Sequence, residues 1–228
     1  MNSENTRDFK KKTRKEMRQI LADFHASRSE KEKHSLTENL CQKITALPEY
    51  QNASTIFAYI PDTLEADCTP VILHALEEGK KLAVPKVDSE SLKTGENRMD
   101  FYFLEKDTPL EDQLEVGTYG IHEPKTGLRK WGVAGQKESD VSPAEGVAKD
   151  REAGWSEGET SPFVLVPGVA FTKDGKRLGH GKGFYDIFIE KLHESGISPF
   201  LCGVALPCQI RADLPTDAHD VLMDAVIF

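Results

Sequence analysis

Long apolar runs are missing from this sequence. No stretch approaches the roughly 18 to 20 apolar residues that a bilayer-spanning helix needs, so no membrane association is expected. The opening segment, MNSENTRDFKKKTRK, lacks the apolar stretch of a secretory signal, which points to a cytoplasmic protein. Cysteine is scarce. Cys41, Cys68, Cys202 and Cys208 form no C-x-x-C pair and no zinc-like spacing, so reduced thiols are expected rather than a disulfide framework. Positive charge is short as well: 29 Lys and Arg against 38 Asp and Glu leave a net charge of −9. That sign argues against a general nucleic-acid binder, because phosphate backbones select positive surfaces. The expected partners are small molecules, and the chain is expected to be a monomer.

What positive charge there is gathers at the start, where residues 1–34 carry ten Lys/Arg against six Asp/Glu. A helix is expected from about Asp8 to Phe24. Phe9, Met17, Ile20, Leu21 and Phe24 fall within one arc at 100° per residue. Lys10, Arg14 and Arg18 form a row at i, i+4 and i+8 that begins at the edge of this arc. Spacing alone suits a solvated basic face. It also leaves room for Lys10 and Arg14 to reach along the packing seam into a pocket.

The 228 residues suffice for one substantial core. Ser29 to Glu32 reads as a capping box opening a second helix to about Leu47. A buried strand is expected over 55–60, a helix from Thr69 to Gly79, and further strands at Leu82–Val87 and Met99–Leu104. Strand, helix, strand at this spacing predicts a parallel sheet. Lys125 to Ser161 is rich in glycine and charge and shows no period, so it is expected to be a long surface loop or a disordered insertion, with Trp131 and Trp155 able to dock on the surface. Order returns with a strand at Phe163–Val166, a helix at Phe184–Glu194, and short strands at Phe200–Leu206 and Asp224–Phe228. The expected fold is a single three-layer α/β domain, Rossmann-like, with a mostly parallel sheet spanning 1–228.

The stretch richest in chemistry runs from Lys173 to Asp186, KDGKRLGHGKGFYD, between a strand and a helix. In open α/β sheets that position is where ligands bind. Gly179, Gly181 and Gly183 alternate, which lets backbone approach a ligand and turn N–H groups toward an anion. The following helix adds partial positive charge at its N-terminus. Arg177 and Lys182 add full charges. The pattern is not G-x-x-x-x-G-K-[ST], and on its own it fits either an anion cradle or a tight turn.

The wider segment VPGVAFTKDGKRLGHGKGFYD resembles the signature of 5-formyltetrahydrofolate cyclo-ligases. The resemblance extends to K-x-x-x-R in the first helix (Lys10, Arg14), to Met99-Asp100-Phe101, to Gly120-Ile121-His122-Glu123-Pro124, and to Leu214, Pro215, His219 and Asp220 near the end. It covers most of the chain apart from 125–161. It implies an α/β enzyme that converts 5-formyltetrahydrofolate to 5,10-methenyltetrahydrofolate with ATP and Mg²⁺, releasing ADP and phosphate. By position it also implies roles for particular residues. Lys10, Arg14 and the loop Arg177, Leu178, Gly179, His180, Gly181, Lys182, Gly183, Phe184 and Tyr185 would hold ATP. Lys182 and Arg177 would assist phosphoryl transfer. Ala58, Thr63, Glu65, Met99 and Tyr119, with His180 to Phe184, would border the folate. Asp186 and Asp220 would hold Mg²⁺.

The residues themselves also allow plainer roles. Asp186 suits a helix N-terminus, Asp220 a turn, and Met99 and Tyr119 a core. His122, His180 and His219 lack ligand spacing and are expected to face solvent. Two departures from the family pattern stand out. Thr63-Leu64-Glu65-Ala66 replaces the usual E-[V/I]-x-T, so the folate-side carboxylate is missing or shifted to Glu65, and Phe184-Tyr185 replaces a tyrosine pair. Two other readings share the fold: another ATP-dependent or sugar-phosphate enzyme using the same anion loop, and a folate- or nucleotide-binding regulatory protein with weakened catalysis.

Overall fold

The structure, a computed structural model, describes residues 3–117, 120–133, 153–155, 160–217 and 220–228. Helix α1 (Ser3–Ala26) leads into α2 (Glu30–Thr45), which opens on the expected capping box: Ser29 Oγ accepts from the Glu32 N–H, and Glu32 accepts from the Ser29 N–H. Then follow α3 (Pro48–Asn52), β1 (Thr55–Phe57), α4 (Thr69–Glu77), β2 (Lys81–Val87), α5 (Ser89–Thr94), β3 (Met99–Phe103) and α6 (Leu110–Gln113). Next come β4 (Leu114–Val116), β5 (His122–Pro124), β6 (Trp131–Val133) and β7 (Ala153–Trp155). The chain finishes with β8 (Phe163–Val166), β9 (Ala170–Thr172), β10 (Arg177–Leu178), α7 (Phe184–Glu194), β11 (Phe200–Val204), β12 (Ile210–Arg211) and β13 (Ala225–Ile227).

Six strands form the central sheet in the order β13-β11-β8-β1-β2-β3. Every pairing is parallel except β2 with β3. Residues 88–98 between those two strands hold only the short α5, too little for a crossover back to a parallel neighbour. The fold is thus α/β with a mostly parallel sheet, as expected. Strands β1 and β8 are buried at every residue, which requires cover on both faces. On one face Phe188 of α7 packs its ring against Phe57 and Phe101, at centroid distances of 5.2 and 4.2 Å. Phe163 is in register with Ile56, and alternation therefore puts it opposite Phe57, where Tyr50 of α3 meets it edge-on at 5.6 Å.

Chain order reverses between β1 and β8: from β1 the chain builds outward through β2 and β3, then returns to add β8, β11 and β13 on the other side. Such a switch point opens a crevice at the carboxyl ends of the two strands. The loops 58–65 and 167–183 leave the sheet there.

Beside the crevice, β9 and β10 form an antiparallel hairpin, with β12 alongside β9. The hairpin turn needs Gly175, whose φ is +93° and whose missing Cβ would collide with the Met223 carbonyl. Helix α1 docks on this hairpin through Met17 and Ile20, which pack with Val169, Ala170 and Leu178. One face of α1 is buried at Thr6, Lys10, Thr13, Met17, Leu21 and Phe24. Phe9, expected on that face, is 55% exposed instead. The N-terminal half of the face lies over the crevice, and polar residues occupy it.

The segment after Lys125 also differs from a detached loop. The Phe103 N–H donates to the Arg129 carbonyl at 2.9 Å, and Trp131 packs edge-on against Phe57 and Phe188 at 5.2 and 5.9 Å. Trp131 is therefore anchored on the main core rather than merely laid on the surface. Trp131 to Val133 pairs in parallel with Ala153 to Trp155; residues 134–152 and 156–159 lie outside the described part. No described helix is long and apolar enough to cross a membrane. All four cysteines are free thiols.

Candidate active site

The crevice is a cavity of about 890 Å³, within the size range of pockets that engulf small ligands. Its wall joins distant parts of the chain: Lys10 and Arg14 from α1, Glu65 from the loop after β1, Met99 from β3, the stretch Arg177–Asp186, and Asp220 near the C-terminus. Among the sequence-predicted residues, every nucleotide-side and metal-side candidate lines it. On the folate side Glu65 and Met99 line it. Ala58 does not: it is fully buried behind the wall, its N–H held by the Ala83 carbonyl at 2.9 Å. Thr63 is exposed and does not line it either. Tyr119 and His219 lie outside the described residues.

The glycine loop and the first helix meet directly. Arg14 Nε donates to the Gly179 carbonyl at 2.8 Å. At Gly181 φ is +100°, and a Cβ there would sit 3.2 Å from the Arg14 guanidinium carbon. A side chain at 181 would therefore be strained and would crowd the cation. The backbone N–H groups of Gly179, His180, Gly181, Lys182 and Gly183 have no hydrogen-bond partner among the described residues. Gly183 caps α7 without a side-chain bond, leaving the helix's first N–H groups open too. This is a concave array of donors at a helix N-terminus, and it suits a phosphate chain.

The cations differ in their commitments. Arg177 is buried at 8% exposure; its Nη2 donates to Asp186 Oδ1 at 2.7 Å and its Nη1 to the Pro167 carbonyl at 3.2 Å. Lys10 is buried between Asp217 and Asp220. Lys182 is exposed and has no partner among the described residues. Burial, the largest influence, pulls the pKa of Arg14 below its ordinary value; Asp220 opposes this and Arg18 adds to it. A guanidinium keeps its proton regardless.

On the opposite wall, Glu65 accepts from the Asp62 N–H at 3.0 Å and lies 3.1 Å from His180 Nε2. The carboxylate displaced in the sequence pattern thus reaches the cavity from position 65. His180 and His122 are exposed, as expected, although His180 has this carboxylate partner. The Tyr185 hydroxyl is buried in the wall without a partner among the described residues. Burial, reinforced by Glu65 and Cys68, pushes its pKa well up, so it stays a neutral donor.

Asp217, Asp62 and Arg18 also line the cavity, and the sequence reading did not propose them as site residues. Arg18 could have been added from its place in the Lys10-Arg14 row. Asp217 and Asp62 carry no local signal beyond being turn acids.

Comparison with known proteins points to one family. The model of the 5-formyltetrahydrofolate cyclo-ligase family matches residues 8–155 and 143–228. The chain belongs to that family. A Caenorhabditis elegans relative named "Probable 5-formyltetrahydrofolate cyclo-ligase" is 30% identical over 220 residues, covering 96% of this chain and 93% of that one. The 5-formyltetrahydrofolate cyclo-ligase of Mus musculus is 28% identical with the same coverage. Among solved structures, the 5,10-methenyltetrahydrofolate synthetase of Aquifex aeolicus superposes with a TM-score of 0.61 at 28% identity, covering 94% of this chain and 88% of that one. The Mycoplasma pneumoniae synthetase shares the fold, with a TM-score of 0.57 at 22% identity.

Proposed function

We propose that this protein closes 5-formyltetrahydrofolate to 5,10-methenyltetrahydrofolate, using ATP and Mg²⁺ and releasing ADP and phosphate. The observation that carries the reading is the meeting of Arg14 with Gly179 and Gly181, which sets helix cations against unpartnered loop amides at the sheet's switch point.

An amide-like formyl oxygen is a poor leaving group. It attacks the γ-phosphorus of ATP, and the ADP–phosphate bond breaks. N10 of the folate then attacks the activated formyl carbon and gives up its proton; the carbon–oxygen bond breaks, and the former formyl oxygen departs within phosphate, which takes up that proton. Phosphoryl transfer asks the protein chiefly for alignment and for charge placed where negative charge spreads. The loop amides and Arg14 cradle the triphosphate, while Lys182 follows the transferred group because no protein partner holds it back. Arg177, braced by Asp186, orients the cradle from below. Met99 and the Tyr185 ring border the folate, with Glu65 as its carboxylate contact.

Among the described residues no cluster of three or more His, Cys, Asp or Glu could hold a metal by itself, so a cation here would lean on the nucleotide as well. Asp186 and Asp220 each engage one carboxylate oxygen and leave the other without a partner among the described residues. Two carboxylates plus phosphate oxygens and water suit a small hard cation. Once bound there, Mg²⁺ would supply positive charge to the phosphate oxygens.

The purified protein with 5-formyltetrahydrofolate and MgATP is expected to form the methenyl product, followed by its near-ultraviolet absorbance, with one ADP per product. No product from folded protein beside an active control would remove the cyclo-ligase reading. Nucleotide binding retained without product would favour a regulatory binding protein instead.

A further inference from the structure

Lys10 is only 7% exposed, and its ammonium donates to Asp217 Oδ2 at 2.7 Å and to Asp220 Oδ2 at 2.6 Å. The Asp217 N–H also donates to Asp220 Oδ2, at 2.6 Å, which fixes the two carboxylates around one cation. Two carboxylates thus share one ammonium, and Arg14 is close enough to Asp220 to feel its charge. Two other cations of the wall are placed differently. The buried Arg177 faces a single carboxylate, and the half-buried Arg14 is held by a carbonyl oxygen and feels Asp220 only at longer range. Asp220 has a use of its own as a metal ligand under the reading above. Asp217 has none, and it is half open to solvent, at 45% side-chain exposure.

We propose that Asp217 is a specificity residue that makes nucleotide binding depend on a divalent cation. Its carboxylate competes with phosphate for Lys10 and repels a triphosphate that arrives without metal. A divalent cation held by Asp220 would offset the repulsion from the two carboxylates, and the remaining N–H of Lys10 would be free to serve the nucleotide. The bias comes from the one unit charge of Asp217 beside Lys10 in a partly buried site, where screening is weaker than in water. The inference rests on the ATP and magnesium reading above, and its test separates the two.

ATP binding to the full-length protein, without folate, is measured by calorimetry in EDTA and again in excess Mg²⁺. The parent is expected to bind ATP much more tightly with Mg²⁺. Asp217→Asn, which keeps the side chain's shape, is expected to bind ATP in EDTA roughly five- to tenfold more tightly than the parent, the scale of removing one partly screened unit charge. Its affinity in Mg²⁺ should change little, so the metal dependence shrinks. Asp217→Glu should restore the parent's ratio, which a purely structural strut would not do. Unchanged affinity in EDTA overturns the proposal, and so does weaker binding in Mg²⁺ without a gain in EDTA, which would make Asp217 a ligand or a brace. A parent that binds no ATP in Mg²⁺ would overturn the nucleotide reading itself, and this inference with it. Melting curves of both variants confirm that folded protein is compared.

Discussion

Replacing Lys182 with alanine is expected to cut turnover by about 10²- to 10³-fold, the usual scale for deleting one preorganised charge that meets the transition state. The fold should not notice. Lys182 is exposed and has no partner among the described residues, and surface substitutions of that kind usually stay within about 0.5 kcal/mol. Steady-state kinetics beside a thermal melt check both halves. Parent-like kcat/KM with a normal melt would mean that Lys182 does not meet the transferred phosphoryl group. A lowered melting temperature would show that the side chain holds structure that the contacts do not reveal.

Arg177 should behave differently, because it is built into the protein. Its guanidinium is buried, braces Asp186 and the Pro167 carbonyl, and lies 5.8 Å from the Tyr185 ring centre. Arg177→Met leaves Asp186 without its counter-charge. Breaking a fully buried pair costs about 3–5 kcal/mol, and Asp186 is partly solvated, so about 2–3 kcal/mol is expected. For a chain of this size that is a fall in melting temperature of roughly 5–10 °C. Turnover should fall at least about a hundredfold as well. Arg177→Lys should rescue little, since a point-like ammonium cannot serve two acceptors in the guanidinium's fork geometry. A stable and active Arg177→Met protein would contradict the placement of this side chain beneath the phosphate loop.

The two variants mark what the sequence could and could not disclose. Helix α7 was legible to its ends, because Gly183 and Ser195-Gly196 punctuate it and its apolar residues follow the helical period. The buried strands announced themselves as apolar runs bounded by turns. The glycine loop was legible as a cradle or a turn, and only the contact with Arg14 decides between them. That contact spans 165 residues of sequence, beyond the reach of any local pattern. For the same reason Phe9 was placed on the buried face: periodicity counts apolar residues, but the first turns of α1 cover a polar crevice and bury Thr6 and Lys10 instead. The antiparallel edge at β3 and the packing of Trp131 were likewise invisible, since both depend on what lies across the sheet. Asp217 escaped notice because an acid in a turn is ordinary until Lys10 is seen to lie against it.

The central claim is that a triphosphate sits between helix α1 and the loop that precedes α7. Backbone amide resonances, followed by NMR as a non-hydrolysable ATP analogue is added in Mg²⁺, test this most directly. Gly179, Gly181 and Gly183 should shift strongly and saturably, together with the side-chain Nε–H of Arg14. If these signals stayed still while a distant set moved with saturation, the nucleotide would bind elsewhere and the account would fail.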